Sequence, residues 1–290
     1  MRVRRAVSSS VLSAAFFISA AFLNGQEPTP APAAAPTPTP PAEVPEEHVP
    51  WRPPEGSIII NFPSVDTPPP QTLQLHFTHR FSDPVQGSDI HNLFSFDSGA
   101  EVGIGLSYTP VKNLEVGFLR ERTLEDYEVF AKYALPIPAS SPVKVAVRAG
   151  GDFRTERQYP DVSSFFIQAT VGAFLFERIR LSVIPTFSTN AAGQRFVLPI
   201  RDNVFNVMFA ASASITRTIN IQAEMVPRHA QSPGTGWIVA VEKTLLRHRF
   251  SFTAGNMKAT TVDQYIAPDF NGLPVGNIYL GFNIIRQWKL

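Results

Sequence analysis

The chain has 290 residues, with 25 Lys and Arg against 24 Asp and Glu, six His and no Cys. This nearly neutral balance lacks the basic surplus that nucleic-acid binding requires, so we expect no nucleic-acid partner. The absence of Cys excludes disulfides, thiolate metal sites and Cys nucleophiles. Beyond the N-terminal region no segment reaches the roughly 18 consecutive apolar residues of a membrane-spanning helix, which argues against a helical inner-membrane protein.

The N-terminus has the three parts of a secretory signal peptide. Residues 1–5 are basic, residues 11–23 are apolar, and the small residue Gly25 precedes Gln26 at a suitable cleavage position. The apolar run is too short to span a membrane comfortably, and no Cys follows it that a lipoprotein signal would require. We therefore predict that residues 1–25 are a signal peptide.

Residues 26–56 are dominated by Pro, Ala and Thr. Such a segment cannot bury a core and favours extended polyproline II, so we predict a disordered periplasmic linker. At about 3.1 Å per residue it reaches on the order of 85 Å. Residues 27–55 are either a passive tether or an arm that contacts peptidoglycan or a periplasmic partner. Residues 57–71 are either a short extra strand or a segment packed in the mouth of the following domain.

Residues 72–290 place apolar side chains at every second position, in about twelve segments of roughly ten residues each. In residues 100–108, for example, Val102, Ile104 and Leu106 alternate with Glu101, Gly103 and Gly105. A strand with one lipid-facing and one lumen-facing side has this period, and ten residues suit a tilted membrane-spanning strand. The pattern predicts an all-β, antiparallel transmembrane β-barrel of about 12 strands (range 10–14), with aliphatic residues outward and charges inward.

The connections between these segments alternate between short and long, which sets a direction across the membrane. Short links at 109–113, 176–178, 216–218 and 245–248 alternate with long ones at 81–98, 152–163, 189–203, 227–236 and 257–275. Periplasmic turns of outer-membrane barrels are short and external loops are long, so both termini are expected in the periplasm. The amphipathic last strand, with its apolar end at Leu290, resembles the signal that barrel-assembly machinery recognises.

Several segments of residues 72–288 resemble a bacterial family of outer-membrane-type β-barrels that is described only as a domain of unknown function. The more specific elements are His-Arg-Phe at 79–81 and Gly-Phe-Asn-Ile at 281–284, with further matches at 93–97, 104–108, 114–117 and 184–187. This chain has Ser82 and Ser95 where such relatives often have Gly. The resemblance implies a fold and an outer-membrane location, with outer-membrane lipid as the surroundings, and no activity.

The inward phase of the strands defines a set of candidate lumen or ligand-binding residues. Two interpretations remain open: an internal network of ion pairs that holds a narrow, wet interior, or a charge-lined pore for small solutes. The set comprises His76, Arg80, Asp97, Glu101, Glu115, Asp126, Glu128, Lys132, Lys144, Arg148, Arg180, Glu224, Glu242 and Arg249. Arg80 is expected to pair with a carboxylate in the lumen, or to contact a ligand near the first external loop together with Asp97.

Signals of catalysis and of cofactor binding are weak in this sequence. His76 and His79 are three residues apart on a strand and point to opposite faces, so they cannot share a metal ion. There is no Gly-x-Ser-x-Gly motif, and the face of His79 offers no partner Ser. Gly99, Gly103 and Gly105 lie within a strand, which favours small lumen positions over a phosphate-binding loop. We predict no catalytic residue, no metal site and no cofactor.

These observations favour a non-enzymatic barrel of the Gram-negative outer membrane, acting as a narrow pore for small solutes. The alternative is a structural or interaction barrel that anchors or sheathes a periplasmic or electron-transfer partner, and a membrane-embedded hydrolase is a more remote third hypothesis. A soluble barrel or sandwich is the competing architecture, but it would not need the aromatic residues near strand ends, such as Tyr133 and Trp288.

Overall fold

Twelve antiparallel strands form a closed barrel in the computed structural model, which describes residues 56–138, 140–157, 160–176, 178–191, 202–229, 234–268 and 276–290. Each strand pairs with its neighbours in the chain, and the first pairs with the last. The predicted signal peptide and residues 26–55 of the predicted linker lie outside these residues. The strands are β1 Thr72–Phe81, β2 Ala100–Val111, β3 Leu114–Glu121, β4 Asp126–Ala134, β5 Val143–Arg154, β6 Val162–Leu175, β7 Ile179–Ala191, β8 Asp202–Thr216, β9 Ile219–Val226, β10 Gly236–Leu245, β11 His248–Gly255 and β12 Tyr279–Lys289.

The predicted alternation of faces is confirmed along the strands. In β6, Phe165 and Ile167 are 62% and 52% exposed, whereas Phe166 between them and Ser164 and Gln168 on either side are buried. An apolar outer face over every strand requires a hydrocarbon solvent, because a water-soluble barrel would turn these side chains inward. Among the described residues, no helix is long and apolar enough to cross a membrane.

The connections follow the predicted order with two exceptions. The turns at 112–113, 217–218 and 246–247 have two residues each, and they share one end of the barrel with the start of β1 and the end of β12. At the opposite end, residues 82–99 contain a 3-10 helix, Ile90–Ser95, and residues 256–278 contain the short helix α1, Val262–Tyr265. The β3–β4 link at that end has a single 3-10 turn, Thr123–Glu125, whereas the β4–β5 link at the short-turn end spans 135–142.

Two segments of the chain lie inside the barrel. Residues 56–66 form a hairpin, here called the lumen hairpin, whose Ile58 and Pro63 make a β-bridge. It enters from the short-turn end, since its residue Asp66 pairs with Arg180 near the start of β7. Of the two alternatives for residues 57–71, the structure therefore favours a segment packed inside the barrel.

The second internal segment is residues 256–268 between β11 and β12, here called the lumen loop. It meets the lumen hairpin where the rings of Phe62 and Tyr265 lie 5.1 Å apart, centroid to centroid. Both segments contribute to an apolar core that lies inside the barrel and also includes inward residues of β6–β10. Its members are Ile59, Ile60, Phe62, Phe166, Ile184, Met208, Ala210, Val226, Ile238, Ala240, Met257, Val262 and Tyr265.

Replacing an outward residue by a charged one tests the membrane-facing register. Val241 is 55% exposed in the middle of β10. The substitution Val241→Arg is expected to lower the free energy of unfolding by about 2–4 kcal/mol, because a cation then faces hydrocarbon. Leu245→Arg at the short-turn end of the same strand is the control and should cost at most about 1 kcal/mol. Urea unfolding in lipid vesicles measures both, and equal costs would contradict the register.

Candidate functional site: the occupied lumen

Arg80 joins the first strand, the last strand and the lumen hairpin. Its Nη1 donates to Asn283 Oδ1 at 2.7 Å on β12, and its Nη2 donates to Asn61 Oδ1 at 3.0 Å on the hairpin. Gly281 is opposite Arg80 in the ladder, and a Cβ there would lie 2.7 Å from the Arg80 Cδ atom. The His-Arg-Phe and Gly-Phe-Asn elements of the sequence are thus partners across the barrel seam.

The outward residues of the same two elements stack on each other. The rings of His79 and Phe282 are parallel with centroids 4.8 Å apart, and Phe81 meets His79 edge-on at 4.6 Å. His79 therefore faces outward, whereas His76 is buried in the lumen with Nε2 3.1 Å from Ser107 Oγ. The prediction that these two histidines point to opposite faces of the strand is confirmed.

Glu224 on β9 holds the tip of the lumen hairpin. Its carboxylate accepts from three consecutive backbone N–H groups, those of Ile60, Asn61 and Phe62, at 2.8–3.0 Å. From β12, Asn283 Nδ2 donates to the Ile60 carbonyl at 2.9 Å. The tip of the hairpin thus has its backbone groups satisfied by the barrel wall, as buried polar groups require.

Ion pairs attach the rest of the hairpin to the wall and link the wall strands. Lys132 on β4 lies 2.9 Å from Glu115 Oε2 and donates to the carbonyls of Ser57 and Asp66 at 2.8 Å each. The Asp66 carboxylate is 2.6 Å from Arg180 Nη2. Further pairs join Arg148 with Glu128, Arg249 with Glu242 and Arg154 with Asp263. These contacts favour the interpretation of an internal ion-pair network.

Acidic residues of β3 and β4 receive the lumen loop. Glu121 Oε2 accepts from the N–H groups of Thr260 and Thr261 at 2.8 and 3.1 Å, and Glu128 Oε2 accepts from the Val262 N–H at 3.0 Å. Asp126 Oδ2 accepts from Thr261 Oγ1 and Gln264 Nε2, both at 2.8 Å. The loop is therefore bonded to the wall along its length.

Burial changes the proton affinity of two side chains of the lumen loop. It raises the pKa of the Asp263 carboxyl well above its ordinary value, and the neighbouring Asp126 carboxylate raises this pKa further. Burial also raises the pKa of the Tyr265 hydroxyl. Tyr265 accepts a hydrogen bond from Gln168 Nε2 at 3.0 Å, so its oxygen acts as an acceptor within the core.

The structure buries most of the predicted lumen set, with three differences. The buried members are His76, Arg80, Glu115, Asp126, Glu128, Lys132, Arg148, Arg180, Glu224, Glu242 and Arg249. Glu101 and Lys144 are only partly buried, because each lies towards the end of its strand. Asp97 is exposed in the loop between β1 and β2, after the 3-10 helix, and Arg80 is bonded to the amides of Asn61 and Asn283 rather than to a carboxylate.

Several residues that shape the lumen were missed by the sequence analysis. Asp152 and Arg154 lie four and six residues after Arg148 on β5 and therefore point into the lumen like Arg148. The predicted β5 ended before them, so the sequence analysis assigned them to a loop. Glu121 likewise lies six residues after Glu115 on β3 and points to the same inner face. Asp66 and Asp263 lie outside strands, where no periodicity indicates direction, and only the three-dimensional structure places them in the lumen.

A closed barrel with an apolar outer face and a charged, hydrogen-bonded inner face defines a membrane-bound β-barrel protein. The chain belongs to the family described as membrane bound beta barrel domain (DUF5777), whose model matches residues 55–288. The predicted resemblance to such a family is thereby confirmed. No curated protein sequence matches the chain.

The chain is also similar to solved structures at low sequence identity. One is the NanC porin, 10% identical, which covers 75% of this chain and 100% of its own, with a TM-score of 0.49. Another is outer membrane phospholipase A from Escherichia coli, 10% identical, which covers 74% of this chain and 90% of its own, with a TM-score of 0.43. Similarity at this level carries no information on activity.

The Glu224 contacts predict how firmly the hairpin is held. Glu224→Ala removes the acceptor of three N–H groups, which should cost about 3 kcal/mol and raise amide exchange of residues 60–62 about 100-fold. Hydrogen exchange with mass spectrometry measures this. Glu101→Gln, at the barrel end and away from the hairpin, is the control and should leave exchange unchanged. Equal exchange in both variants would show that Glu224 does not hold the hairpin.

Proposed function

We propose that this protein is a non-enzymatic barrel of the Gram-negative outer membrane that is closed in its resting state and anchors its N-terminal segment at the periplasmic face. The observation that carries this proposal is the occupied lumen, in which the lumen hairpin and the lumen loop build an apolar core. A constitutive solute pore would need a solvated interior, whereas this interior is packed with Ile60, Phe62 and Tyr265.

Energetics favour the closed state over a spontaneously opening pore. Moving the hairpin out of the lumen would expose Ile59, Ile60 and Phe62, which are at most 5% exposed. Their burial stabilises the closed state by about 5–9 kcal/mol, at about 1.5–3 kcal/mol for each side chain. A cost at the lower end already corresponds to an open population below about one molecule in a thousand.

The membrane assignment and the orientation support the anchoring role. The family is membrane-bound, and the signal-like N-terminus indicates export, for which a β-barrel in the outer membrane is the known destination. Gly56, the first residue of the hairpin, lies against the Arg249 guanidinium near the start of β11, at the short-turn end. Residues 26–55 would then extend from the periplasmic mouth and remain available to peptidoglycan or to a periplasmic partner.

A second candidate function, a gated pore, is favoured by one observation. The lumen hairpin enters and leaves at the same end of the barrel, so it could withdraw without threading through the wall. In that case the charged wall residues would line the conducting pathway after withdrawal.

Planar-bilayer recording with a reversible lock distinguishes the two candidates. A Cβ atom at Gly172 on β6 would lie 2.9 Å from Val65 Cγ1 on the hairpin, and the chain has no native Cys, so Val65→Cys with Gly172→Cys should form a single disulfide between hairpin and wall. We expect no conductance above that of empty bilayers for the unmodified protein, oxidised variant or reduced variant. Conductance that the disulfide abolishes would establish the gated pore instead, and conductance that persists in the oxidised form would show a pathway past the hairpin.

The anchoring role predicts that the N-terminal segment is dispensable for the barrel and necessary for attachment. Deleting residues 27–55 should leave the urea unfolding midpoint unchanged, because the hairpin residues that contact the barrel wall in the described part of the chain, Gly56 onwards, are retained. The same deletion should abolish co-sedimentation of the barrel with purified peptidoglycan. The control is a variant in which a Gly/Ser segment of equal length replaces residues 27–55, because it keeps the length of the N-terminal segment and changes only its sequence. If the full-length protein does not co-sediment, this form of anchoring is refuted.

A further inference from the structure

Three carboxylates from three different elements lie close together where the lumen loop contacts the barrel wall. Asp126 lies on β4, Asp152 on β5 and Asp263 in helix α1, and one oxygen of each lies within 4.8 Å of the others. All three residues are fully buried. Such an arrangement is costly, because like charges at this spacing repel strongly in a medium of low dielectric.

The surrounding cations do not balance these acids. Glu121 and Glu128 adjoin the cluster, since Thr261 Oγ1 contacts both Glu121 and Asp126 and the Val262 N–H binds Glu128. Against these five buried carboxylates stand two guanidinium groups: Arg154 at 2.9 Å from Asp263 and Arg148 on Glu128. If all five acids were ionised, the two bases among the described residues would leave three negative charges unbalanced, which neutral donors such as Thr261 do not cancel.

The cluster also contains buried oxygen atoms without a donor among the described residues. Neither oxygen of Asp152 has a hydrogen-bond partner, although the residue is fully buried and its carboxylate points to Asp126 and Asp263. Asp126 Oδ1 and Asp263 Oδ1 also lack donors. Gln264 reaches the same place, with Nε2 2.8 Å from Asp126 Oδ2, and its Oε1 is buried without a donor. Buried oxygens of this kind require a positive or protonated partner.

We propose that Asp126, Asp152 and Asp263 bind one Ca²⁺ ion, with Gln264 Oε1 as a further ligand, and that this ion fastens the lumen loop to the barrel wall. Carboxylate and amide oxygens are the ligands of hard cations. Two oxygens bound to one Ca²⁺ ion at about 2.4 Å are at most about 4.8 Å apart, and the oxygens of all three carboxylates meet this limit. Mg²⁺ suits the site less, because it demands octahedral geometry at about 2.1 Å.

The ion would have a structural consequence that is separate from the lumen hairpin. Asp263 belongs to the lumen loop, whereas its two partner carboxylates belong to adjacent wall strands, so the ion joins elements about 110 to 140 residues apart in the chain. Protons shared between the carboxyl groups are the competing way to remove the excess charge, and the raised pKa of Asp263 is compatible with that alternative. The two explanations differ in their response to calcium.

Calorimetric titration of the purified full-length barrel in detergent, stripped with EDTA, tests the site with CaCl₂ as the probe. We expect one Ca²⁺ per chain, with Mg²⁺ bound at least tenfold more weakly. Asp152→Asn and Asp263→Asn should each weaken Ca²⁺ binding at least tenfold, since each removes one charged ligand. Asp97→Asn changes an exposed acid of the same type outside the lumen and should bind like the unmodified protein.

A second measurement keeps the test independent of folding defects. Asp263 lies outside the strands, so Asp263→Asn should leave the barrel closed on a heat-modifiability gel while it loses the calcium response. Calcium should slow amide exchange of residues 257–268 at least tenfold in the unmodified protein and leave it unchanged in Asp263→Asn. Absence of stoichiometric calcium binding, or exchange that calcium does not slow, would overturn the proposal and leave shared protons as the explanation. Preference for Mg²⁺ would overturn the choice of ion.

Discussion

The barrel seam and the lumen hairpin both depend on the hydrogen bonds of the buried Arg80 guanidinium. An arginine retains its charge under physiological conditions, so a buried arginine needs acceptors on every side. β12 supplies the Asn283 amide and the Phe282 carbonyl, and the lumen hairpin supplies the Asn61 amide. Closing the barrel and occupying its lumen are therefore parts of one polar network, and neither is complete without the other.

Around this network the lumen combines two kinds of interior. The wall from β3 to β5 is charged, with Glu115 and Lys132 paired at 2.9 Å, and it receives the backbone of the lumen loop. The wall from β6 to β10 contributes apolar side chains such as Phe166, Ile184 and Met208. The hairpin and the loop lie between these two halves, with polar backbone groups bonded to the wall and apolar side chains in the core. The protein is thus packed on the inside much as a soluble domain is, while its outer face remains apolar.

The sequence alone was sufficient for the barrel because strand direction is a local property. Neighbouring side chains of a strand point to opposite faces, so the alternation of apolar residues predicts both the strands and their inner faces. It predicted the twelve strands and the burial of eleven charged or polar candidate residues in the lumen. It failed at strand ends, where the buried acids Asp152 and Glu121 were left out. It left open whether residues 57–71 enter the barrel and did not predict how they are held, because the bonds of Glu224 to the hairpin join residues more than 160 positions apart.

The position of the lumen hairpin in the chain constrains the order in which the protein assembles. Residues 56–66 precede every strand, whereas their partner Asn283 lies in the last strand. The link from Asp66 to Thr72 is only five residues long, so the hairpin stays beside the growing sheet. Once β12 has paired with β1, the polar tip of the hairpin would have to enter a closed barrel against its own desolvation cost. We therefore expect the hairpin to be in place while the sheet curls, before the final pair of strands closes the barrel.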